Sequence, residues 1–332
     1  MRVYEVVEGS EGFDGLRKGE RAKPEPGPNE VLVRMRAAAM NYRDLAIVLG
    51  KYFSGPVDRN TIPLSDGAGE VESVGDGVTA FKPGDRVVAT FMQPPHPPMF
   101  GALGSPLDGV LTEYAVFDQG GLLPVPDGLS FEEAATLPCA GVTAWNALFD
   151  GKQTKPGETV LTLGTGGVSI FALQIAKAAG ARVIVTSSSD EKLARAKELG
   201  ADAGINYRST PDWAQAVLDL TGGQGVDHIV ELGGAGTLPL SYRAIGQRGE
   251  IALIGVLSAP SGDLGPHGLM TKNATLRGIF VGDRTAFESL NKAIAVNDIH
   301  PVVDKVFEFD AAPEAYQYMA GARHFGKIVI AI

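Results

Sequence analysis

The clearest pattern in the chain is an alternation of short apolar runs and amphipathic stretches that begins near residue 159. Residues 159–163 (TVLTL) are apolar and rich in β-branched side chains, the pattern of a parallel strand buried on both faces. Gly164, Gly166 and Gly167 break the run, and 169–179 then place Ile170, Leu173 and Ala176 at helical spacing. The alternation continues. It predicts strands at 182–186, 203–206, 226–231, 249–254 and 275–280, with helices at 191–199, 212–221 and 238–244. Alternating units of this kind make an α/β fold with a doubly wound parallel sheet.

Before residue 122 the texture is different. Strand-length segments at 3–7, 31–35, 69–74, 86–90 and 110–116 are separated by Pro/Gly turn material such as KPEPGPNE and FKPGD. A short helix is expected over 41–50, ended by Gly50, and the Pro/Gly-rich stretch 93–106 reads as a loop. Many short strands predict a small barrel-like domain. Helical spacing returns at 131–137 and 143–149. After residue 280 come a helix at 284–296 and strands at 302–309 and 327–332 around a helix at 312–320. This tail does not read as a further strand–helix unit and is expected to return to the first domain.

Composition narrows the partners. A chain of 332 residues with 44% apolar side chains is long enough for two domains. The net charge of −10, with no block of Lys and Arg, argues against nucleic acid or an anionic membrane as a partner. A single cysteine, Cys139, excludes an internal disulfide framework and a multi-cysteine zinc cluster, and suits a reducing compartment. The start, MRVYEVVEG, lacks an apolar signal core, and no apolar run is long enough to span a bilayer. The expectation is a soluble, cytoplasmic protein acting on a small molecule.

The stretch around 164–169 carries the chemistry. Strand, glycine turn and helix form the context in which a G-x-G-x-x-G-like match has meaning. Glycine lets the backbone approach a pyrophosphate, whose charge sits on unpaired N–H groups at the helix start. Gly164, Gly166, Gly167 and Val168 are therefore candidate cofactor contacts, and Ser169 replaces the third glycine. The ribose of a dinucleotide is read about 20 residues further on. There the second strand ends in Thr186-Ser187-Ser188-Ser189, followed by Asp190, Glu191 and Lys192. Hydroxyls and an ammonium suit a 2′-phosphate and point to NADP(H), whereas Asp190 argues for NAD. Ser188 and Glu191 also have the spacing of a capping box.

Several segments taken together resemble the medium-chain dehydrogenase/reductase superfamily, which includes zinc alcohol dehydrogenases and zinc-independent quinone oxidoreductases. They are NYRDL (41–45), PLSDGAGEVESVG (63–75), FKPGDRV (81–87), LPCAGVTAW (137–145), the glycine turn and HFGKIVI (324–330), and they span nearly the whole chain in order. The resemblance implies a GroES-like barrel over 1–124, completed by 286–332, and a Rossmann domain over 125–285. Zinc members of this family place metal ligands at positions that hold Asn41, Ser65-Asp66 and Cys139 here. Asn and Ser are poor zinc ligands, so no metal is expected. Asp66 is read as structural first and as a general acid second, and Cys139 as a small buried hydrophobe.

Without a metal to polarise a simple carbonyl, the favoured substrates are those that delocalise charge after hydride attack, namely quinones and α,β-unsaturated carbonyls. The resemblance implies that Asn41 orients cofactor or substrate and that Tyr42 or Tyr52 donates to a developing oxyanion. Helix capping and core packing are the bland roles for the same side chains. It further implies cofactor contacts at Lys192 and Tyr207 (2′-phosphate), at Thr143, and at Gly255-Val256 and Phe280-Val281-Gly282 after the fifth and sixth strands. Two other readings stay open: an alcohol dehydrogenase that retains metal through unusual ligands, and a non-catalytic NADPH-binding protein. Dimers in related proteins extend the central sheet, so a homodimer is expected, with 249–255 and 275–280 as candidate edge strands.

Overall fold

A computed structural model describes the chain except for residues 54, 97–100, 256, 258–264 and 266. It falls into two compact units, Met1–Ala140 with Asp283–Ile332, and Gly141–Gly282.

The first unit is β-rich. Its strands are β1 (Arg2–Val6), β2 (Leu16–Glu20), β3 (Glu30–Ala39), β4 (Asp66–Val74), β5 (Arg86–Ala89), β6 (Tyr114–Asp118) and β7 (Leu122–Pro124). A short helix, α1 (Tyr42–Val48), follows β3, and α2 (Phe131–Ala135) follows β7. The second unit carries helices α3 (Val142–Phe149), α4 (Gly167–Ala178), α5 (Asp190–Glu198), α6 (Trp213–Leu220), α7 (Leu238–Ala244) and α8 (His267–Met270). Its strands are β8 (Thr159–Leu163), β9 (Arg182–Ser187), β10 (Ala203–Asn206), β11 (Val226–Glu231), β12 (Ile245–Leu253) and β13 (Thr275–Gly278). The chain then returns to the first unit through α9 (Arg284–Asn297), β14 (Val303–Glu308), α10 (Ala312–Ala320) and β15 (Lys327–Ala331).

In the second unit all strand pairs are parallel, in the order β10-β9-β8-β11-β12-β13. The order reverses at β8, the strand that runs into the glycine turn, and ligands of open α/β sheets bind at such a switch point. Val160 and Leu161 of β8, Val183 and Ile184 of β9, and Ile229 and Val230 of β11 are fully buried. That is why these strands read as continuous apolar runs rather than alternating ones. The helix α4 contributes Ile170, Phe171, Leu173 and Ile175 to the same core. The predicted strand 249–254 is the inner part of β12, paired on both sides, so 249–255 is no edge; β13 is the outer strand among the described residues.

In the first unit a seven-stranded sheet runs β14-β15-β3-β4-β5-β7, with β6 also on β3, and β1 pairs β2 separately. The tail joins this sheet by pairing β15 antiparallel to β3. Tyr316, Met35, Met40, Leu64, Leu111 and Ile328 fill its core. Helix α2 packs against β3, β4 and β15, so the helical segment at 131–137, expected with the second domain, lies within the first unit. Several elements depart from the predicted pattern, β7 and α8 having no counterpart in it. β3 continues through Ala37–Ala39, where full burial overrides the weak strand propensity of alanine. β2 (LRKGE) is too polar to announce itself, and the strand predicted at 110–116 sits at 114–118.

Candidate active site and cofactor turn

The glycine turn links β8 to α4. Gly164 adopts a positive φ of 80°, and its N–H donates to Thr186 Oγ1 at 3.2 Å, tying the turn to the end of β9. Gly166 is the extended N-cap of α4. A Cβ placed on Gly164 or Gly166 would meet no atom within 4 Å, so the protein's own packing does not demand the missing side chains. That open space at the start of a twelve-residue helix fits a pyrophosphate. Gly167 and Val168, both half-buried, form the first turn of α4. Ser169 is buried and donates to the Leu163 carbonyl at 2.7 Å. The residue in place of the third glycine therefore joins helix to strand instead of loosening them.

The predicted ribose-reading residues collect at the ends of β9 and β10. Ser187 pairs with Asn206 in register, and its carbonyl accepts from Tyr207 N–H at 3.0 Å. Ser187 Oγ accepts from Ser189 N–H, and Ser189 Oγ accepts from Lys192 N–H, each at 3.3 Å. The cap of α5 is thus Ser189, not Ser188 with Glu191, because the helix begins at Asp190 and leaves Ser189 as the extended residue before it. Ser188 is half-buried and the Tyr207 ring is 42% exposed. Asp190 Oδ1 accepts from the Asn206 side chain at 2.8 Å.

Two further strand ends were singled out by resemblance. Gly255 follows β12, where a Cβ would lie 1.8 Å from the Leu232 carbonyl, so only glycine fits. Ile254 and Gly255 N–H both donate to the Glu231 carbonyl. After β13, Phe280 is 41% exposed, Gly282 half-buried, and Val281 takes a φ of 54°, costly for a β-branched residue. Asn146 holds it by donating to the Val281 carbonyl at 2.8 Å, and Arg277 fixes Asn146 by donating to its Oδ1 at 2.7 Å. Thr143 is buried in the first turn of α3, which packs on α4. Val256 lies outside the described residues.

Sequence reasoning missed Glu231. Its fully buried carboxylate accepts from Gly233 N–H (2.9 Å), Gly234 N–H (3.0 Å), Thr237 Oγ1 (2.5 Å) and Ser241 Oγ. It pins the loop between β11 and α7. The signal was an acid closing an apolar strand just before Gly-Gly.

In the first unit a polar cluster surrounds Asn41. The Asn41 N–H donates to Asp44 Oδ2 at 2.7 Å. Asn41 Oδ1 accepts from Lys327 Nζ at 2.5 Å, and Asn41 Nδ2 donates to Ser65 Oγ at 3.4 Å. Ser65 in turn donates to Asp66 Oδ1 at 2.7 Å, while Asp66 Oδ2 accepts from Cys139 N–H at 3.1 Å. Lys327 Nζ also donates to the Met40 carbonyl at 2.6 Å and lies 3.9 Å from Asp66 Oδ2. Ser65, Asp66 and Lys327 are all buried, whereas Asn41 is half-buried. Desolvation raises the carboxyl of Asp66 above the usual range against the opposing pull of Lys327, and burial lifts Asp44 to about 6. Burial and the Asp66 carboxylate push the Cys139 thiol well up.

Of the tyrosines, Tyr42 is 56% exposed at the start of α1. Tyr52 is half-buried, and its hydroxyl accepts from Arg43 Nε at 3.4 Å. Buried Arg43 also donates to the Leu103 and Ser105 carbonyls. Lys327 is the second residue that sequence reasoning missed: a lysine opening an apolar strand reads as a strand end in solvent.

This donor set does not suit zinc. Both Asp66 oxygens already accept hydrogen bonds, an ammonium stands beside the carboxylate, and Asn41 and Ser65 supply only neutral amide and hydroxyl groups. Among the described residues no three His, Cys, Asp or Glu side chains converge to hold a metal ion.

Comparison with known proteins gives two family matches. Residues 27–127 match the alcohol dehydrogenase GroES-like domain, and residues 167–296 match the zinc-binding dehydrogenase family. A zinc-type alcohol dehydrogenase-like protein of Schizosaccharomyces pombe is 47% identical over 342 aligned positions, covering 99% of each chain. A quinone oxidoreductase of Pseudomonas aeruginosa is 33% identical over 319 positions, covering 92% of each. The crystal structure of an NAD-dependent alcohol dehydrogenase superposes with a TM-score of 0.93 at 35% identity, covering 100% of both chains.

Proposed function

The chain belongs to the medium-chain dehydrogenase/reductase superfamily and is an NAD(P)-dependent oxidoreductase, and within that family we propose that it is a zinc-independent, NADPH-dependent reductase of quinones or α,β-unsaturated carbonyls. The observation that carries this reading is the Asn41 amide. Its carbonyl is engaged by Lys327, which leaves N–H as the group it can offer a substrate. A neutral donor of that kind stabilises an oxyanion whose charge is already delocalised, as in an enolate or hydroquinone anion. It is a poor substitute for a Lewis acid on an isolated alkoxide.

Bound NADPH would supply the hydride. The open turn at Gly164, Gly166, Gly167 and Val168 suits its pyrophosphate. Ser187, Ser188, Lys192 and Tyr207 would hold the 2′-phosphate, and Thr143, Gly255, Phe280 and Gly282 the nicotinamide end. Asp190, the natural reader of an NAD ribose, already receives the Asn206 amide, which favours the phosphate-bearing cofactor. In unit one, Asn41 would bind the substrate oxygen. Tyr52 accepts from Arg43 and so retains its own O–H for donation, while Tyr42 is free at the surface to serve a bound acceptor. We read the protein as cytoplasmic, and as a homodimer in which β13 is the strand placed to extend the sheet.

The test is an acceptor and cofactor panel. NADPH and NADH oxidation are followed with 1,4-benzoquinone, an enone and an aldehyde, and cofactor reduction with a primary alcohol. The expected result is turnover of quinone or enone with NADPH preferred. Preference for NADH with alcohol turnover would instead place this chain with the NAD-dependent alcohol dehydrogenase it resembles. Tight NADPH binding without any turnover would make it a cofactor-binding protein.

A further inference from the structure

We infer that Lys327 and Asp66 form a positioning pair that locks the Asn41 amide in one of its two flip states, making Asn41 a donor only; this deepens the reading of Asn41 given above. An ammonium has three donors and no acceptor, so the amide atom 2.5 Å from Lys327 Nζ must be the oxygen. A carboxylate is acceptor-only, so Ser65 must give its single proton to Asp66 and can only accept from Asn41. The four side chains thus close a ring in which every proton has a fixed direction. Lys327 donates to Asn41 Oδ1, Asn41 Nδ2 donates to Ser65, Ser65 donates to Asp66, and Asp66 faces Lys327 across 3.9 Å.

Lys327 and Asp66 are 3% and 0% exposed, so neither charge would be tolerated without the other. Ser65 is likewise buried. Asn41, half-buried, is the most exposed member of the ring, and its amide nitrogen donates to Ser65 and also interacts with the Asp66 carboxylate. The N–H2 edge of Asn41 is the group that would meet a substrate oxygen. Lys327 is therefore a positioning residue: its second bond, to the Met40 carbonyl, anchors the ammonium on the backbone adjoining Asn41.

Four variants test this: Lys327→Met, Asn41→Asp, Asn41→Ala and the double variant Asn41→Ala/Lys327→Met. The first readout is independent of turnover. The side-chain amide pair of Asn41 in 15N–1H spectra, identified by its loss in Asn41→Asp, is expected to move by well over a linewidth in Lys327→Met. The second is kcat/KM with NADPH and quinone, expected to fall about 10- to 100-fold in Lys327→Met with NADPH affinity unchanged. In the Asn41→Ala background the same change is expected to cost less than about twofold, because a positioning residue has nothing left to position. Should Lys327→Met fail to fold, Asn41→Asp decides: it keeps an acceptor for Lys327 but has no N–H, so it should bind NADPH as the wild type does and lose turnover, and retained turnover would overturn the inference. An unmoved amide pair, or equal losses in both backgrounds, would overturn the inference. Failure of the wild type with every quinone and enone would instead overturn the substrate reading, and the amide pair would still report on the lock.

Discussion

A buried carboxylate is tolerated when donors meet both of its oxygens, and Glu231 meets four. In Glu231→Gln, one amide N–H2 would face donors that need an acceptor. The expected cost is about 2–3 kcal/mol, seen as a lower urea midpoint at constant m-value. His228 makes a complementary case. It is buried in β11 with Lys152 Nζ 3.2 Å from Nε2, and burial, followed by that ammonium, lowers its pKa from 6.5 to about 4. Between those values the unfolded chain holds a proton that the folded one refuses, so stability falls as pH drops from about 6.5 towards 4. The full effect is on the order of 3 kcal/mol. Asp44 works in the opposite sense, since its raised pKa of about 6 lets the folded state take a proton first. The difference between wild type and His228→Gln in urea at pH 7 and pH 4.5 isolates the histidine: the variant should lose less stability on acidification. None of these three roles is written in periodicity. His228 and Lys327 depend on partners from distant segments and Glu231 on the fold of the loop that follows it, and a charged letter in an apolar run does not say which partner awaits it.

Elements were more legible than single residues. The parallel strands β8 and β11 are long enough, apolar enough and flanked by enough glycine to be bounded by pattern alone. Short or polar strands were not: β2 holds its place through pairing with β1, and β7 is three residues long. The glycine turn was the most informative stretch, and its geometry separates folding from binding. Gly166 has an ordinary φ of −80° and free space where a Cβ would sit. Gly166→Ala is therefore expected to fold, losing no more than about 1 kcal/mol at the cap. It should weaken NADPH binding at least about tenfold, because the methyl would occupy the approach to the backbone N–H groups. Fluorescence titration beside a thermal melt checks both halves. Equal affinity in variant and wild type would show that the turn does not hold the pyrophosphate.

At the scale of the whole molecule, the α/β class and the return of the tail to the first unit followed from the change of texture along the chain, as did the order of the elements. The change at residue 122 was a shift in strand spacing, but α2 stays with the first unit because its apolar face is buried on β3 and β4. In the proposed reading, chemistry at this scale turns on a hydrogen-bond donor standing in for a metal. At the positions where the resemblance places zinc ligands, this chain has Asn41, Ser65-Asp66 and Cys139, with Lys327 bonded to Asn41. Metal is therefore expected to contribute nothing to turnover. The most direct measurement is the rate of NADPH-dependent quinone or enone reduction before and after exhaustive chelation, with zinc content determined on the same samples. An unchanged rate in zinc-free protein is the predicted result. A rate that disappears on chelation and returns with stoichiometric zinc would contradict it.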